Sequence, residues 1–223
     1  MPKLAIHGGP PAAAGLKALP LPWERQGPCP EDERAVMTAL RDNRVGGLGD
    51  ESSPAVLFEK AFARYQDAEY GLVVANGTVS LELALRAGGV RPGDQVLVPA
   101  ITFVASASAV VSVGAVPVFV DVDPRTAQMS ASAMEAAITP STRAIMVVHY
   151  GGYMADLDAI LPVARKHDLL VVEDCAHAQG TSWRGKGAGS WGDFGSFSFQ
   201  NSKSLAAGEG GAVLTSSEAL FER

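Results

Sequence analysis

The sequence predicts an α/β fold in which a mostly parallel sheet is covered by helices on both faces. Three observations carry that prediction. From Tyr70 onward, short apolar runs alternate with stretches of helical periodicity. The runs are only a few residues long and nearly unbroken, like strands that helices cover on each side. The connections are short, as in a chain of βαβ units.

The first thirty residues stand outside that pattern. They are rich in Pro, Gly and Ala (HGGPPAAAG, then PLPW) and have no core of their own. Trp23 favours an arm that packs on another surface; an unstructured tail is the competing reading. Glu31–Asn43 predicts a helix, with acids in its first turn and Val36, Met37 and Leu40 as its apolar positions. Gly46, Gly47 and Gly49 predict a flexible link. Ser53–Asp67 predicts a second helix, with Pro54 in the first turn, where no amide partner is lost. Residues 1–45 are thus expected to form an arm and first helix, and residues 46–223 one large domain.

Within that domain Tyr70–Ala75 predicts a strand, Val79–Ala87 a helix and Gln95–Val98 a strand. Phe103–Val113 predicts a helix of small residues, Val116–Val120 a strand and Ala131–Ile138 a helix. Ala144–Val148, Leu157–Lys166 and Leu169–Glu173 repeat the strand, helix, strand order, and Gly195–Phe199 and Ala212–Thr215 add two strands. The chain stops at Arg223 in a polar, helical stretch.

Composition narrows the function classes. With 223 residues, 47% of them hydrophobic and 19% charged, the chain can bury a sizeable core. A formal net charge of -6 and the lack of any Lys/Arg run argue against nucleic acid or an anionic membrane as partner. Two cysteines are too few for a disulfide framework, and the four histidines show no metal-ligand spacing. No basic-then-apolar leader opens the sequence and no apolar run approaches membrane-spanning length, so a cytoplasmic enzyme is expected.

The chemistry gathers at strand ends, where open α/β sheets bind ligands. Lys203 lies between the apolar run Phe194–Phe199 and the glycines Gly208, Gly210 and Gly211. Burial there would lower its pKa and free the amine as a nucleophile; an exposed loop lysine is the competing reading. Leu169–Glu173 (LLVVE) is an apolar run closed by an acid, with Asp174 next. A strand-end carboxylate with a loop lysine is the pairing a pyridoxal phosphate site requires: the lysine forms the Schiff base, and the carboxylate keeps the ring nitrogen protonated. Asn76-Gly77-Thr78 ends the first strand and opens a helix, whose free amides and positive dipole end suit a phosphate. An ordinary helix cap at Thr78 is the alternative. Two decoys fall away. Asp193-Phe194-Gly195 spells DFG with no other kinase motif, and Gly185–Gly189 (GKGAG) is not GxGxxG, while Trp183-Arg184 before it suggests a hairpin turn rather than a dinucleotide loop.

Several of these motifs occur together in one order. EDCAHAQG (Glu173–Gly180), GDFGSFSFQNSK (Gly192–Lys203) and GEGG (Gly208–Gly211) resemble the DegT/DnrJ/EryC1/StrS family of pyridoxal phosphate-dependent aminotransferases. NGTVSLELAL (Asn76–Leu85), GDQVLVPAITFVAS (Gly93–Ser106) and GAVPVFVDVD (Gly114–Asp123) extend the resemblance from about Gly46 to the end.

The resemblance implies the large domain of a three-layer α/β/α, fold-type I transferase with a mixed sheet, and a small C-terminal domain not seen in this sequence. It implies Lys203 and Asp174 as catalytic residues, Gly77, Thr78 and Ser198 at the cofactor phosphate, Phe103 stacked on the pyridine ring and His177 near the ring hydroxyl. A core phenylalanine and a capping or core histidine are the competing readings for the last two. Gln200 and Asn201 flank the site and are candidates to face substrate. A homodimer is also implied, taking an amino group from glutamate or glutamine to a keto-sugar or keto-cyclitol. Gln200 in FSFQNSK leans towards cyclitol and 3-amino-5-hydroxybenzoate synthase-like enzymes. A sugar dehydratase, some of which carry histidine in place of the lysine, and a non-catalytic cofactor-binding partner subunit are the rivals.

Overall fold

The computed structural model describes residues 9, 29–44 and 50–223. Trp23, on which the arm reading turns, and the linking Gly46, Gly47 and Gly49 lie outside these residues. Helix α1 (Pro30–Arg41) carries Glu31, Asp32 and Glu33 in its first turn and buries none of its residues. Helix α2 (Pro54–Tyr65) begins at Ser53, whose hydroxyl accepts from Val56 N at 3.3 Å. Its Phe62 is buried edge-on against Phe197, ring centroids 4.9 Å apart. Burying a side chain of that size is worth roughly 1.5–3 kcal/mol.

The alternating part follows the predicted order: β1 (Tyr70–Val74), α3 (Gly77–Ala87), β2 (Gln95–Pro99), α4 (Val104–Ser112), β3 (Val116–Val120), α5 (Ala131–Ala137) and β4 (Thr142–Val148). Then come α6 (Leu157–Lys166), β5 (Leu170–Asp174), a hairpin of β6 (Ser182–Trp183) and β7 (Lys186–Gly187), β8 (Phe194–Ser198), β9 (Gly211–Thr215) and α7 (Glu218–Phe221). Strand β5 therefore ends on Asp174, one residue later than the sequence suggested. The hairpin turn is Arg184-Gly185, beside the expected Trp183-Arg184, with Gly185 at φ +81°.

Seven strands form one sheet in the order β1-β9-β8-β5-β4-β2-β3. From β8 to β3 the neighbours run parallel; β9 is antiparallel to both β8 and β1. Side chains alternate across the strands, so each central strand feeds two cores. Val96, Val98, Met146 and Val172 pack against α3 and α4, while Leu97, Ile145, Val147 and Val171 pack towards α5 and α6. A third cluster joins Phe62 of α2 to Phe197, Phe199 and Leu214. These layers of helix, sheet and helix are the predicted fold class. Among the described residues no helix is long and apolar enough to cross a membrane.

Register decides what meets at the sheet's end. Asp174 pairs with Val148 on one side and with Ser196 on the other, and Ser198 pairs with Gly211, which also faces Val74. The carboxyl ends of β1, β4, β5 and β8 therefore lie on one rim.

Candidate active site

A cavity of about 830 Å³ opens on that rim. Gly77, Thr78, Phe103, Asp174, His177, Ser198 and Lys203, the seven residues singled out above, all line it. Gln200 lines it as well, its side-chain oxygen accepting from Ser202 N at 2.7 Å; Asn201 does not.

Helix α3 points its N-terminus into the cavity. Its cap is Asn76, whose side chain accepts from Val79 N at 3.0 Å, so Thr78 is not the cap and its side chain is left to the cavity. The helix start lies on the sheet with almost no clearance. A Cβ on Gly77 would fall 2.8 Å from Ser198 Cβ, and one on Gly211 would fall 2.5 Å from the Asn76 carbonyl carbon. Both glycines are required by close approach rather than by an unusual backbone angle. Phe103 precedes α4 and is 67% exposed, which removes the core reading and leaves its ring on the cavity wall.

The loop after β8 carries Lys203. It is closed at its base by Phe199 N donating to Gly210 O and Ala207 N donating to Phe199 O, both at 2.8 Å. Lys203 N in turn donates to Gln200 O at 2.9 Å. Burial pushes the Lys203 ammonium below the ordinary lysine range, and the charge of Asp174 partly restores it. His177 is pulled below its usual value by burial and then by the positive charge of Lys203, with Asp174 again opposing. Gly151 N donates to His177 Nδ1 at 3.3 Å, so the neutral ring carries its proton on Nε2. The segment supplying that amide is itself pinned. Gln128 accepts from Tyr150 N at 3.2 Å and donates to Tyr150 O at 3.1 Å.

Beneath Asp174 the structure adds a buried pair that sequence reading missed. His149 and Glu173 are both fully buried, with Nε2 and Oε2 2.8 Å apart. His149 Nδ1 accepts from Ala155 N at 3.1 Å, so Nε2 carries the proton and donates it to Glu173. Glu173 also accepts from Gly189 N at 3.0 Å, Trp191 N at 2.8 Å and Gly192 N at 2.7 Å. Burial by itself would raise the Glu173 pKa, but the hydrogen bonds from His149, Gly192 and Gly189 outweigh it and hold it below the usual range. Cys175 completes a triad of ligand-type atoms within 4.8 Å of one another. Its thiol is pushed well up by burial, and the histidine and glutamate are engaged by protein donors, so the triad is a structural knot.

Ser106 and Thr102 were also missed. Ser106 Oγ lies 2.7 Å from Asp174 Oδ2, and Thr102 Oγ1 lies 2.6 Å from Ser106 Oγ. The only local signal was two hydroxyl residues four apart at a helix start, which is too common to single out.

The chain is similar to known aminotransferases. Over 99% of its length the chain is 44% identical to an L-glutamine:2-deoxy-scyllo-inosose aminotransferase of Streptoalloteichus tenebrarius, covering 51% of that protein. It is 51% identical over 74% of its length to GDP-perosamine synthase of Caulobacter vibrioides, covering 44% of it. An aminotransferase of known structure from Psychrobacter cryohalolentis superposes with a TM-score of 0.84 at 38% identity, over 87% of this chain and 49% of that one. The chain spans about half the length of these relatives. Residues 30–223 match the model of the DegT/DnrJ/EryC1/StrS aminotransferase family, and the chain belongs to that family.

Proposed function

We propose that the protein is a pyridoxal phosphate-dependent aminotransferase that moves an amino group from glutamine or glutamate to a cyclic ketone, a keto-cyclitol or keto-sugar. The observation that carries this is the convergence of Lys203, Asp174 and the N-terminus of α3 on one cavity, from three separate parts of the chain. The residues present fit the cofactor. The α3 amides, Thr78 and Ser198 offer donors to a phosphate where Gly77 and Gly211 let the helix start lie directly on β8 and β9. Phe103 offers a flat apolar wall, Asp174 an acceptor for a protonated ring nitrogen, and His177 Nε2–H a donor to a ring oxygen. Pyridoxal phosphate, when bound, supplies an aldehyde that condenses with amines and a ring that accepts the electron pair released with the donor's α-proton.

The chain's own groups do the rest. Lys203 Nζ would tether the cofactor and, once its amine is free, would be the base that takes the donor's α-proton and carries it onward. Its lowered pKa keeps the amine available for that work. With one cavity serving the donor and the ketone in turn, the kinetics should be ping-pong. Lys203 itself argues against the dehydratase rival that carries histidine there. A keto-cyclitol is the first substrate to test, because the cyclitol-ketone aminotransferase matches along nearly the whole chain. Residues 46–223 are read as the large domain and 1–45 as its arm and first helix, in a cytoplasmic homodimer.

Two experiments on the full-length protein test this reading. Borohydride reduction and peptide mapping should place the cofactor on Lys203; label on Lys186 or Lys60, or none at all, would overturn the assignment. Light scattering should give twice the full-length chain mass, and a fully active monomer would remove the dimer.

A further inference from the structure

Asp174 is gripped by a hydroxyl that none of the roles above includes. Ser106, fully buried on α4, has its Oγ 2.7 Å from Asp174 Oδ2. Asp174 Oδ1 accepts a longer bond, from Ala176 N at 3.2 Å. Ionised, the carboxyl can only accept, so the single Ser106 proton goes to Asp174. The proton between Thr102 Oγ1 and Ser106 Oγ, 2.6 Å apart, must then come from Thr102. The result is an ordered chain from the cavity wall, Thr102 to Ser106 to Asp174.

Packing alone does not call for that hydroxyl. Helix α4 fills the same interface with Ala105 and Ala109, and a buried serine costs free energy unless its oxygen is bonded. The terminal torsion of an aspartate is soft, so an unassisted carboxyl would swing. We propose that Ser106, backed by Thr102, is a positioning residue that fixes the plane of the Asp174 carboxylate, so that its remaining acceptor sites meet the cofactor's ring nitrogen. This rests on the pyridoxal phosphate reading above.

The test is a double-mutant cycle in the full-length protein with Ser106→Ala, Asp174→Asn and the pair. It is read by the dissociation constant of pyridoxal phosphate for the apoprotein and by the absorbance band of the bound cofactor. Ser106→Ala in the wild-type background should weaken cofactor binding about ten-fold or more, the range of a hydrogen bond to a charged group. It should also shift the band and lower kcat more than it raises the donor KM. In the Asp174→Asn background the same change should cost less than about two-fold, because nothing remains to position. Ser106→Thr, which keeps the hydroxyl, should recover the wild-type band. Equal costs for Ser106→Ala with and without the Asp174 carboxylate would overturn the positioning role while leaving the cofactor reading intact. A wild-type protein that takes up no pyridoxal phosphate would overturn both.

Discussion

Burial and charge pull the Lys203 proton in opposite directions. The first lowers the pKa and wins; Asp174 raises it and loses. In the apoprotein, the rate at which a small acylating reagent labels Lys203 should therefore show a pH midpoint below the ordinary lysine range. Asp174→Asn should move the midpoint lower still, because it removes the charge that favours the ammonium; an upward move would refute the coupling. The sign carries into stability. Between the folded and unfolded values the unfolded chain holds a proton that the native one does not, so the penalty fades as pH rises through that window. Asp174, His177, Ser198 and Lys203 were legible because all four sit in two short motifs. Ser106 was not, since its bond to Asp174 spans 68 positions and no local pattern encodes it.

Elements were legible wherever periodicity or capping chemistry is local. Each strand of the main sheet lies within a residue or two of its apolar run, and α3 opens where Asn76-Gly77-Thr78 said a helix should. Strand order was a different matter. That β8 and β9 lie between β1 and β5 depends on pairing between distant segments, which no window of sequence displays. The glycines at the α3 start show how such pairing acts on function. Gly77 and Gly211 permit β8, β9 and the helix to converge at van der Waals contact. Gly77→Ala would push its new methyl into Ser198, a buried strand residue with little room to yield. We expect a loss of about 1–3 kcal/mol in urea unfolding, the usual cost of overpacking, and weaker pyridoxal phosphate binding as the α3 amides are displaced. Gly77→Ala with unchanged stability and cofactor affinity would show that the close approach is slack.

At the scale of the molecule, the sheet is tied together at its middle strand. Glu173 sits on β5, the fourth of seven strands. It accepts His149 from the end of β4 and three backbone amides from the 189–192 turn that leads into β8. The carboxylate is fully buried, so the buried donors His149 Nε2 and Gly189 N would be stranded without it. Glu173→Ala should cost several kcal/mol, on the order of 1–3 for each buried donor it leaves unsatisfied, against which a surface acid such as Glu51 would cost almost nothing. Glu173→Gln keeps the shape but turns an NH2 group towards donors, so it should recover only part of the loss. The pH dependence follows from direction alone. The folded pKa of Glu173 lies below its unfolded value, so its contribution is complete above the ordinary carboxylate range. It drains away as pH falls towards and through the folded value, because the unfolded chain takes up the proton first. Urea midpoints of wild type and Glu173→Gln should therefore differ most at neutral pH and converge on acidification, while a constant gap across the acid range would show that the native carboxylate is not the group being protonated. Because the same knot seats the strand that ends in Asp174, acid should loosen the rim of the cavity together with the sheet, and cofactor affinity should fall along the same curve as the urea midpoint.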